Sequence, residues 1–245
     1  MTMAKKIRVL CLHGWRTNAK ILRHQSEGLR NALGDKAEFI YLDAPFTASG
    51  PAQEIVQTFY AKEAPFFEWW NAVRIDPSEH AADGKPKHRY RYEGTEETLR
   101  FLTERIQALA PIDVVLGFSQ GAGVASVLTA HWKTQRQVLP WKACVLVSGF
   151  RPRANEVKHL FEDDFGNTLP LEIPSIHIMG KADTLFAQNQ ELFDVYAGED
   201  DGFPRLKLVH EEGHKFPSVA QHQALYQKAA TTLLEILSPT TKSLL

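Results

Sequence analysis

A serine flanked by glycines is the first candidate for chemistry in this sequence. Residues 117–121 read GFSQG and match the pattern G-x-S-x-G, in which a serine lies on a sharp turn between a strand and a helix. Glycine is needed two residues to either side because side chains there would clash across the turn. The context fits, since residues 114–116 form a buried-strand run and residues 122–132 read as a helix. The pattern therefore predicts that Ser119 is a nucleophile rather than a structural serine.

A serine nucleophile requires a general base. The hydroxyl is weakly nucleophilic until a base takes its proton, and a histidine oriented by a carboxylate commonly does this. His214 lies in the loop after a predicted strand, at the sheet edge where ligands bind, whereas His210 ends that strand. We predict His214 as the base and keep His210 as the second choice.

The orienting carboxylate is expected between the serine and the histidine in chain order. Asp183 follows the predicted strand Ser175–Met179, in a turn at the same sheet edge. Its alternative role is to cap the helix beginning at Thr184, and one carboxylate can serve both roles. We therefore predict Asp183 as the acid. Four other aspartates after the serine lie in polar runs typical of solvated surface: Asp163, Asp164, Asp200 and Asp201.

Two backbone N–H groups are expected to bind the negative charge that develops on the reacting oxygen. The first predicted strand ends in Leu12-His13-Gly14-Trp15, a turn that can aim the N–H of Trp15 at this oxyanion. The N–H of Gln120 directly follows the nucleophile and is the expected second donor. His13 is interpreted as a brace for the turn.

A second motif competes for the same histidine. Residues 210–214 read HEEGH, the H-E-x-x-H zinc signature, with His210 and His214 as ligands and Glu211 as base. That motif works on a helix, where histidines four residues apart share a face. Here it follows a strand-like alternation, contains a glycine and meets Pro217, and all three features disfavour a helix. We therefore predict no metal site.

Alternating strand and helix patterns must position these residues. Helical spacing is found around residues 22–33, from the cap Thr95 to Leu109, over 122–132, around 192–196 and from about Ser218 to Leu237. This alternation predicts an α/β fold with a mostly parallel central sheet and helices on both faces. Six aliphatic, β-branched runs read as buried strands: Ile7–Leu12, Glu38–Leu42, Ile112–Phe118, Ala143–Ser148, Ser175–Met179 and Leu206–His210.

Composition excludes several classes of protein. Hydrophobic residues make up 44% and charged residues 23%, which is typical of a globular chain with a core. Lys and Arg total 28 against 29 Asp and Glu. The chain therefore lacks the excess of basic residues that would indicate binding to nucleic acid or to an anionic membrane surface. Two cysteines cannot form a disulfide framework, and no apolar stretch has the length of a membrane span. We expect a cytoplasmic protein without a signal peptide.

Taken together, these segments resemble the FSH group ("family of serine hydrolases") of the α/β-hydrolases. The GFSQGA block is also similar to carboxylesterases and acyl-protein thioesterases. One departure is Arg16-Thr17-Asn18, where the resemblance predicts a glutamine or serine nearby. The matching pieces occur in family order: VLCLHGW at 9–15, DAP at 43–45, the Trp69-Trp70 pair, GFSQGA at 117–122, SIHIMGKAD at 175–183 and GHKFP at 213–217.

The resemblance implies a Ser119–Asp183–His214 triad that hydrolyses carboxylic esters or thioesters of acyl chains. The expected partner is a small-molecule acyl ester or thioester, and no cofactor is expected. The alternative class is a hydrolase-fold binding protein without turnover, which would neither cleave acyl esters nor react with a fluorophosphonate. Two domains would separate Ser119 from His13 or His214, so residues 1–245 are predicted to form a single domain.

Residues 61–92 break the strand–helix alternation and are predicted as an excursion above or beside the sheet. A basic run at 85–91 either attracts an anionic acyl carrier or is a solvated loop, and the second interpretation is preferred. Residues 239–245 read as a loose tail. Large aromatics in the excursion either line an acyl-binding pocket or close a satellite core: Phe66, Phe67, Trp69 and Trp70.

Overall fold

A parallel sheet forms the centre of the molecule. The computed structural model describes residues 5–75, 90–135 and 138–238. The strands in this part of the chain are β1 (Ile7–Leu12), β2 (Ala37–Leu42), β3 (Phe46–Thr47), β4 (Phe67–Glu68), β5 (Asn71–Arg74), β6 (Tyr90–Glu93), β7 (Val114–Phe118), β8 (Ala143–Val147), β9 (Ser175–Gly180) and β10 (Arg205–His210). Six of them pair in parallel in the order β10-β9-β8-β7-β1-β2.

Helices cover both faces of this sheet. Alternate side chains of β1 point to opposite faces, as strand geometry requires. The helices of the described residues are α1 (Ala19–Gln25), α2 (Glu27–Leu33), α3 (Glu54–Tyr60), α4 (Thr95–Leu109), α5 (Gln120–Thr134), α6 (Asn155–Lys158), α7 (Phe186–Val195) and α8 (Gln223–Ile236). Leu10 and Leu12 pack into the core shared with α4 and α5, while Val9 and Cys11 pack into the core shared with α1, α2 and α8.

The predicted α/β architecture is confirmed. Each of the six predicted strands is present, with ends that differ by no more than two residues. Two helix starts were wrong. Thr95 was predicted as the N-cap of α4, but the N-cap is Gly94 and Thr95 is the first helical residue. Gly94 has a φ of +92°, which glycine tolerates. Helix α8 begins at Gln223 rather than near Ser218, and residues 218–222 form a turn in which the Ser218 carbonyl accepts the His222 N–H at 3.0 Å.

The excursion is longer than the predicted residues 61–92: the whole segment between β2 and α4 lies outside the central sheet and carries small elements of its own. It contains α3 and two antiparallel pairs, β3 with β4 and β5 with β6. An isolated bridge joins Thr17 to Phe67, which ties the excursion to the loop after β1. Residues 76–89, with most of the predicted basic run, and the predicted tail at 239–245 lie outside the described residues.

Both cysteines are buried. Cys11 lies in β1 and Cys144 in β8, and burial raises the pKa of the Cys144 thiol to about 11. They therefore behave as small apolar side chains. No helix of the described ranges is long and apolar enough to span a membrane.

Candidate active site

Ser119 lies on the turn between β7 and α5, with a left-handed backbone φ of +53°. The two glycines of the motif leave room for this turn. A Cβ on Gly117 would overlap the carbonyl oxygen of Gly121, and a Cβ on Gly121 would overlap the carbonyl oxygen of Leu12. The motif therefore folds as predicted, because close backbone approach on both sides excludes any side chain.

The structure brings the serine, the histidine and the aspartate together, although the serine and the histidine are 95 positions apart in the chain. The Ser119 Oγ is 2.8 Å from His214 Nε2, and the His214 Nδ1 is 2.7 Å from Asp183 Oδ2. An ionised carboxylate only accepts hydrogen bonds, so Nδ1 donates to Asp183 and Nε2 is left to accept from Ser119. The result is one continuous hydrogen-bonded chain that runs from the hydroxyl to a buried acid.

Asp183 is fixed by the turn after β9. Its side chain is fully buried, and its Oδ1 accepts the Leu185 N–H at 2.8 Å just before α7. Burial opposes ionisation, but the hydrogen bonds from His214 and from the Leu185 N–H outweigh it and hold the pKa of Asp183 below its usual 3.8. The predicted capping alternative was wrong, because α7 begins at Phe186 rather than Thr184, with Leu185 as its N-cap and no side-chain cap hydrogen bond. Asp183 instead accepts the Leu185 N–H in the turn before the helix.

The loop that carries His214 is held by Glu212, a residue that the sequence analysis did not predict to position it. Glu212 accepts the Ser218 N–H, forms an ion pair with Lys215 and lies 3.2 Å from His222 Nε2. Burial raises its pKa, but the Lys215 and Ser218 contacts dominate and lower it to about 2. Glu212 is therefore anionic at neutral pH and pins the loop on both sides of His214. Only the HEEGH motif marks it in the sequence, and that motif indicates other chemistry.

The loop after β1 lies against the nucleophile, as the oxyanion prediction requires. Gly14 is so close to Ser119 that a Cβ on Gly14 would lie 3.6 Å from Ser119 Cβ. Trp15 lines a cavity that Ser119 also lines. Gln120 is the first residue of α5, where N–H groups have no acceptor within the helix. The backbone of both predicted donors is thus placed beside Ser119.

His13 braces this loop as a neutral ring. The Ala44 N–H donates to its Nε2 at 3.1 Å, so the proton lies on Nδ1, which is 2.8 Å from the Gly14 carbonyl oxygen. Burial lowers the pKa of His13 to about 4. The ring consequently keeps this tautomer at neutral pH and fixes the start of the turn.

A cavity of about 500 Å³ opens at Ser119 and His214. One wall comes from α3, through Ile55, Val56, Phe59 and Tyr60. Residues 215–219, which follow His214, and Trp15 also line the cavity. Most of these α3 side chains are apolar, so the cavity suits an apolar group next to the serine.

The predicted aromatic pocket residues do not line this cavity. Trp69 and Trp70 are fully buried in the main core, and Phe66 and Phe67 pack against core clusters from partly buried positions. The tryptophans instead contact the motif. Gln120 Oε1 accepts the Trp69 N–H at 3.0 Å, and its Nε2 donates to the Trp70 carbonyl at 2.9 Å. Of the two interpretations of these aromatics, the structure supports packing, because α3 occupies the wall expected for them.

The HEEGH segment is not helical. His210 is the last residue of β10, and residues 211–214 form a loop, so the two histidines do not share a helix face. Both ring nitrogens of His214 lie within hydrogen-bond distance of Ser119 and Asp183. Among the described residues, no group of three or more His, Cys, Asp or Glu side chains is arranged to hold a metal ion.

The fold places the chain in a known class. A mostly parallel sheet with helices on both faces and a serine at a strand–helix turn is the α/β-hydrolase fold. The structure of acyl-protein thioesterase 2 from Zea mays superposes with a TM-score of 0.59 at 21% identity, covering 95% of this chain and 96% of that one. Esterase PE8 superposes with a TM-score of 0.58 at 19% identity, covering 96% and 94%.

Within that class, the chain belongs to the family described as serine hydrolase (FSH1), which it matches over residues 1–226. This confirms the resemblance seen in the sequence. Esterase OVCA2 from Homo sapiens is 29% identical over 236 residues, covering 93% of this chain and 97% of the human protein. Esterase OVCA2 from Bos taurus is 30% identical over 228 residues, covering 91% and 94%. The chain is thus a member of a family of serine hydrolases with esterase-named relatives.

Proposed function

We propose that the chain hydrolyses carboxylic esters or thioesters of acyl chains, with Ser119, His214 and Asp183 as its catalytic triad. The observation that carries the proposal is the continuous hydrogen-bonded chain from Ser119 Oγ through His214 to Asp183. The position of Ser119 on the strand–helix turn of an α/β-hydrolase supports the same role.

The reaction proceeds through an acyl-enzyme. Ser119 Oγ attacks the acyl carbonyl while His214 Nε2 takes its proton, and the N–H groups of Trp15 and Gln120 receive the oxyanion. The tetrahedral intermediate collapses as His214 protonates the leaving alcohol or thiol. Water then attacks the acyl-enzyme with His214 as base and releases the acid. Asp183 holds the imidazole in the required tautomer and stabilises its protonated form.

The cavity beside Ser119 supports an acyl substrate. Ile55 is 58% exposed and Phe59 is 73% exposed on the α3 wall, although both side chains are apolar. An acyl chain lying along α3 would remove this surface from water, which is favourable by about 25 cal/mol per Å². An acyl group bound through its ester or thioester carbonyl is therefore the substrate class that fits both the chemistry and the wall.

Fluorophosphonate labelling tests the proposal directly. A fluorophosphonate probe reacts with activated serines, so we expect one covalent adduct per chain, which peptide mass spectrometry maps to Ser119. Heat-denatured protein is the control and should not react. Prior treatment with a chelator should leave labelling unchanged. No adduct on the native chain, together with no cleavage of acyl esters, would favour the alternative of a hydrolase-fold binding protein.

Shortening the α3 wall should change the preference for acyl-chain length. For Phe59→Ala we expect kcat/KM for p-nitrophenyl octanoate to fall about tenfold, since about two methylenes lose apolar contact at about 0.8 kcal/mol each. The acetyl ester does not reach Phe59 and should change less than about twofold. Phe165→Ala is the matched control, because Phe165 is 91% exposed and does not line the cavity. An equal loss for both esters would exclude α3 as the acyl wall.

A further inference from the structure

The residue after Trp15 has an unusual backbone conformation. Arg16 has φ of +52°, in the left-handed region that non-glycine residues seldom occupy. Such a conformation persists only where surrounding contacts hold it. Arg16 directly follows Trp15 in the chain, so contacts that hold Arg16 in this conformation also restrict the backbone at Trp15.

The guanidinium of Arg16 is bound by three groups of the excursion. Its Nε donates to Glu68 Oε2 at 3.0 Å, one terminal nitrogen donates to the Pro51 carbonyl at 3.0 Å, and the other donates to Ser49 Oγ at 3.0 Å. Its Cζ also lies 4.1 Å from the centre of the Trp15 ring. One side chain thus holds both the excursion and the indole of Trp15.

Glu68 forms a largely buried ion pair with Arg16. Its side chain is 1% exposed, and that of Arg16 is 13% exposed, so both charges are largely out of water. The second carboxylate oxygen of Glu68 accepts the Ser49 N–H at 3.0 Å. One residue further along the loop, the Thr17 carbonyl accepts the Phe67 N–H at 2.7 Å. A buried ion pair and a backbone bridge therefore fix residues 16 and 17 on strand β4.

We propose that the Arg16–Glu68 ion pair positions the backbone N–H of Trp15 in the oxyanion hole. Arg16 touches no reacting atom and acts through Trp15, so it is a positioning residue. The inference rests on the proposed function, because it assigns the ion pair to the oxyanion hole of that reaction. It also gives a role to the Arg16-Thr17-Asn18 segment, at which the sequence departs from the pattern that the resemblance predicts.

The test replaces each partner conservatively. Arg16→Lys keeps the charge but loses the planar fork, and Glu68→Gln keeps the shape but loses the charge. For each we expect kcat to fall about 10- to 100-fold, less than the roughly 100- to 1000-fold of a donor removed outright. KM should stay within about threefold, since the ground-state contacts of the acyl chain are unchanged. The double variant should lose little more than either single one, because the partners act as a unit.

A transition-state analogue separates positioning from general destabilisation. A trifluoromethyl ketone forms an adduct with the serine that carries an oxyanion, so its affinity should fall by about the same factor as kcat. Arg8→Lys is the matched control at the opposite end of β1. The Nε of Arg8 donates to Glu38 at 3.1 Å, and a terminal nitrogen donates to the Leu109 carbonyl at 2.7 Å. This variant should keep kcat within about twofold.

The outcomes distinguish this proposal from the proposed function. A folded Arg16→Lys or Glu68→Gln protein with unchanged kcat, or with a change in KM alone, would overturn the positioning role. So would an equal loss of kcat in Arg8→Lys. If Arg16→Lys does not fold, Glu68→Gln decides. The triad is tested separately by Ser119, whose replacement must abolish turnover whatever the result at Arg16.

Discussion

Replacing Ser119 with alanine is expected to lower kcat for p-nitrophenyl esters by roughly 10⁴- to 10⁶-fold, with the fold retained. The hydroxyl oxygen forms the bond to the acyl group, so no acyl-enzyme can form without it. The stability should change little. Alanine meets the same left-handed backbone as serine, and the hydroxyl's described hydrogen bond is to the partly exposed His214. Initial rates and the thermal unfolding midpoint measure the two effects.

Ser148→Ala is the matched control for this variant. Ser148 follows β8, the neighbour of β7 in the sheet, and also has a positive φ, of +46°. It is buried, and its Oγ has no hydrogen-bond partner among the described residues. Its replacement should leave kcat within about twofold. A Ser119→Ala protein that still cleaves esters at a tenth of the wild-type rate or faster would contradict the triad.

The arrangement of Ser119, His214 and Asp183 could largely be predicted from the sequence because it depends on local rules. The G-x-S-x-G spacing encodes the contact between Gly121 and Leu12, which lets Ser119 occupy its turn. Asp183 and His214 both follow strands that run parallel to β7, and parallel strands end at the same edge of a sheet. Three residues far apart in the chain could therefore be assigned to one place.

The acyl wall could not be assigned in the same way. An aromatic run has the same composition whether it lines a cavity or fills a core, and tertiary contacts decide between the two. Trp69 is held in the core by Gln120 and by its own Nε1, which donates to the His13 carbonyl at 2.8 Å. The wall was taken instead by α3, where Ile55 and Phe59 remain exposed.

The charged contacts around the site carry even less local signal. Arg16 and Glu68 are separated by 52 positions, and opposite charges at such a distance pair only once the fold brings them together. Glu212 is close to His214 in sequence, but its role depends on the Ser218 N–H and on Lys215. Sequence patterns thus predicted the serine, histidine and aspartate that meet at the site and missed the charged groups that hold the surrounding loops in place.

Replacing Asp183 with asparagine is expected to lower kcat by about 10⁴-fold, an effect of the same order as loss of the nucleophile. The amide can donate to His214 Nδ1, which would favour the tautomer with its proton on Nε2. That tautomer cannot accept the proton of Ser119. The fold should survive, because an asparagine Oδ1 can still accept the Leu185 N–H that Asp183 accepts at 2.8 Å.

The pH dependence follows from the direction of the Asp183 pKa. The folded-state pKa lies below 3.8, so the carboxylate contributes stability above that value and loses it as the pH falls through the folded pKa. Between pH 5 and pH 9 the wild-type acid thus stays ionised, and any change of activity in that range has another origin. Unfolding midpoints of wild type and Asp183→Asn should accordingly converge as the pH is lowered below about 4.

Asp163→Asn is the control for Asp183→Asn, because it shows what the loss of an aspartate carboxylate from another loop does. Asp163 also accepts loop N–H groups, from Phe165 at 2.9 Å and from Asn167 at 2.7 Å. The Asn167 side-chain amide, which donates at 2.8 Å, and these backbone bonds lower the pKa of Asp163. It is partly exposed and has no described contact with Ser119 or His214, so kcat should be unchanged in its asparagine variant. If Asp183→Asn instead kept kcat within about tenfold of wild type, His214 would not depend on this acid for its orientation. The hydrogen-bonded chain from Ser119 to Asp183 would then be a structural feature rather than the catalytic triad.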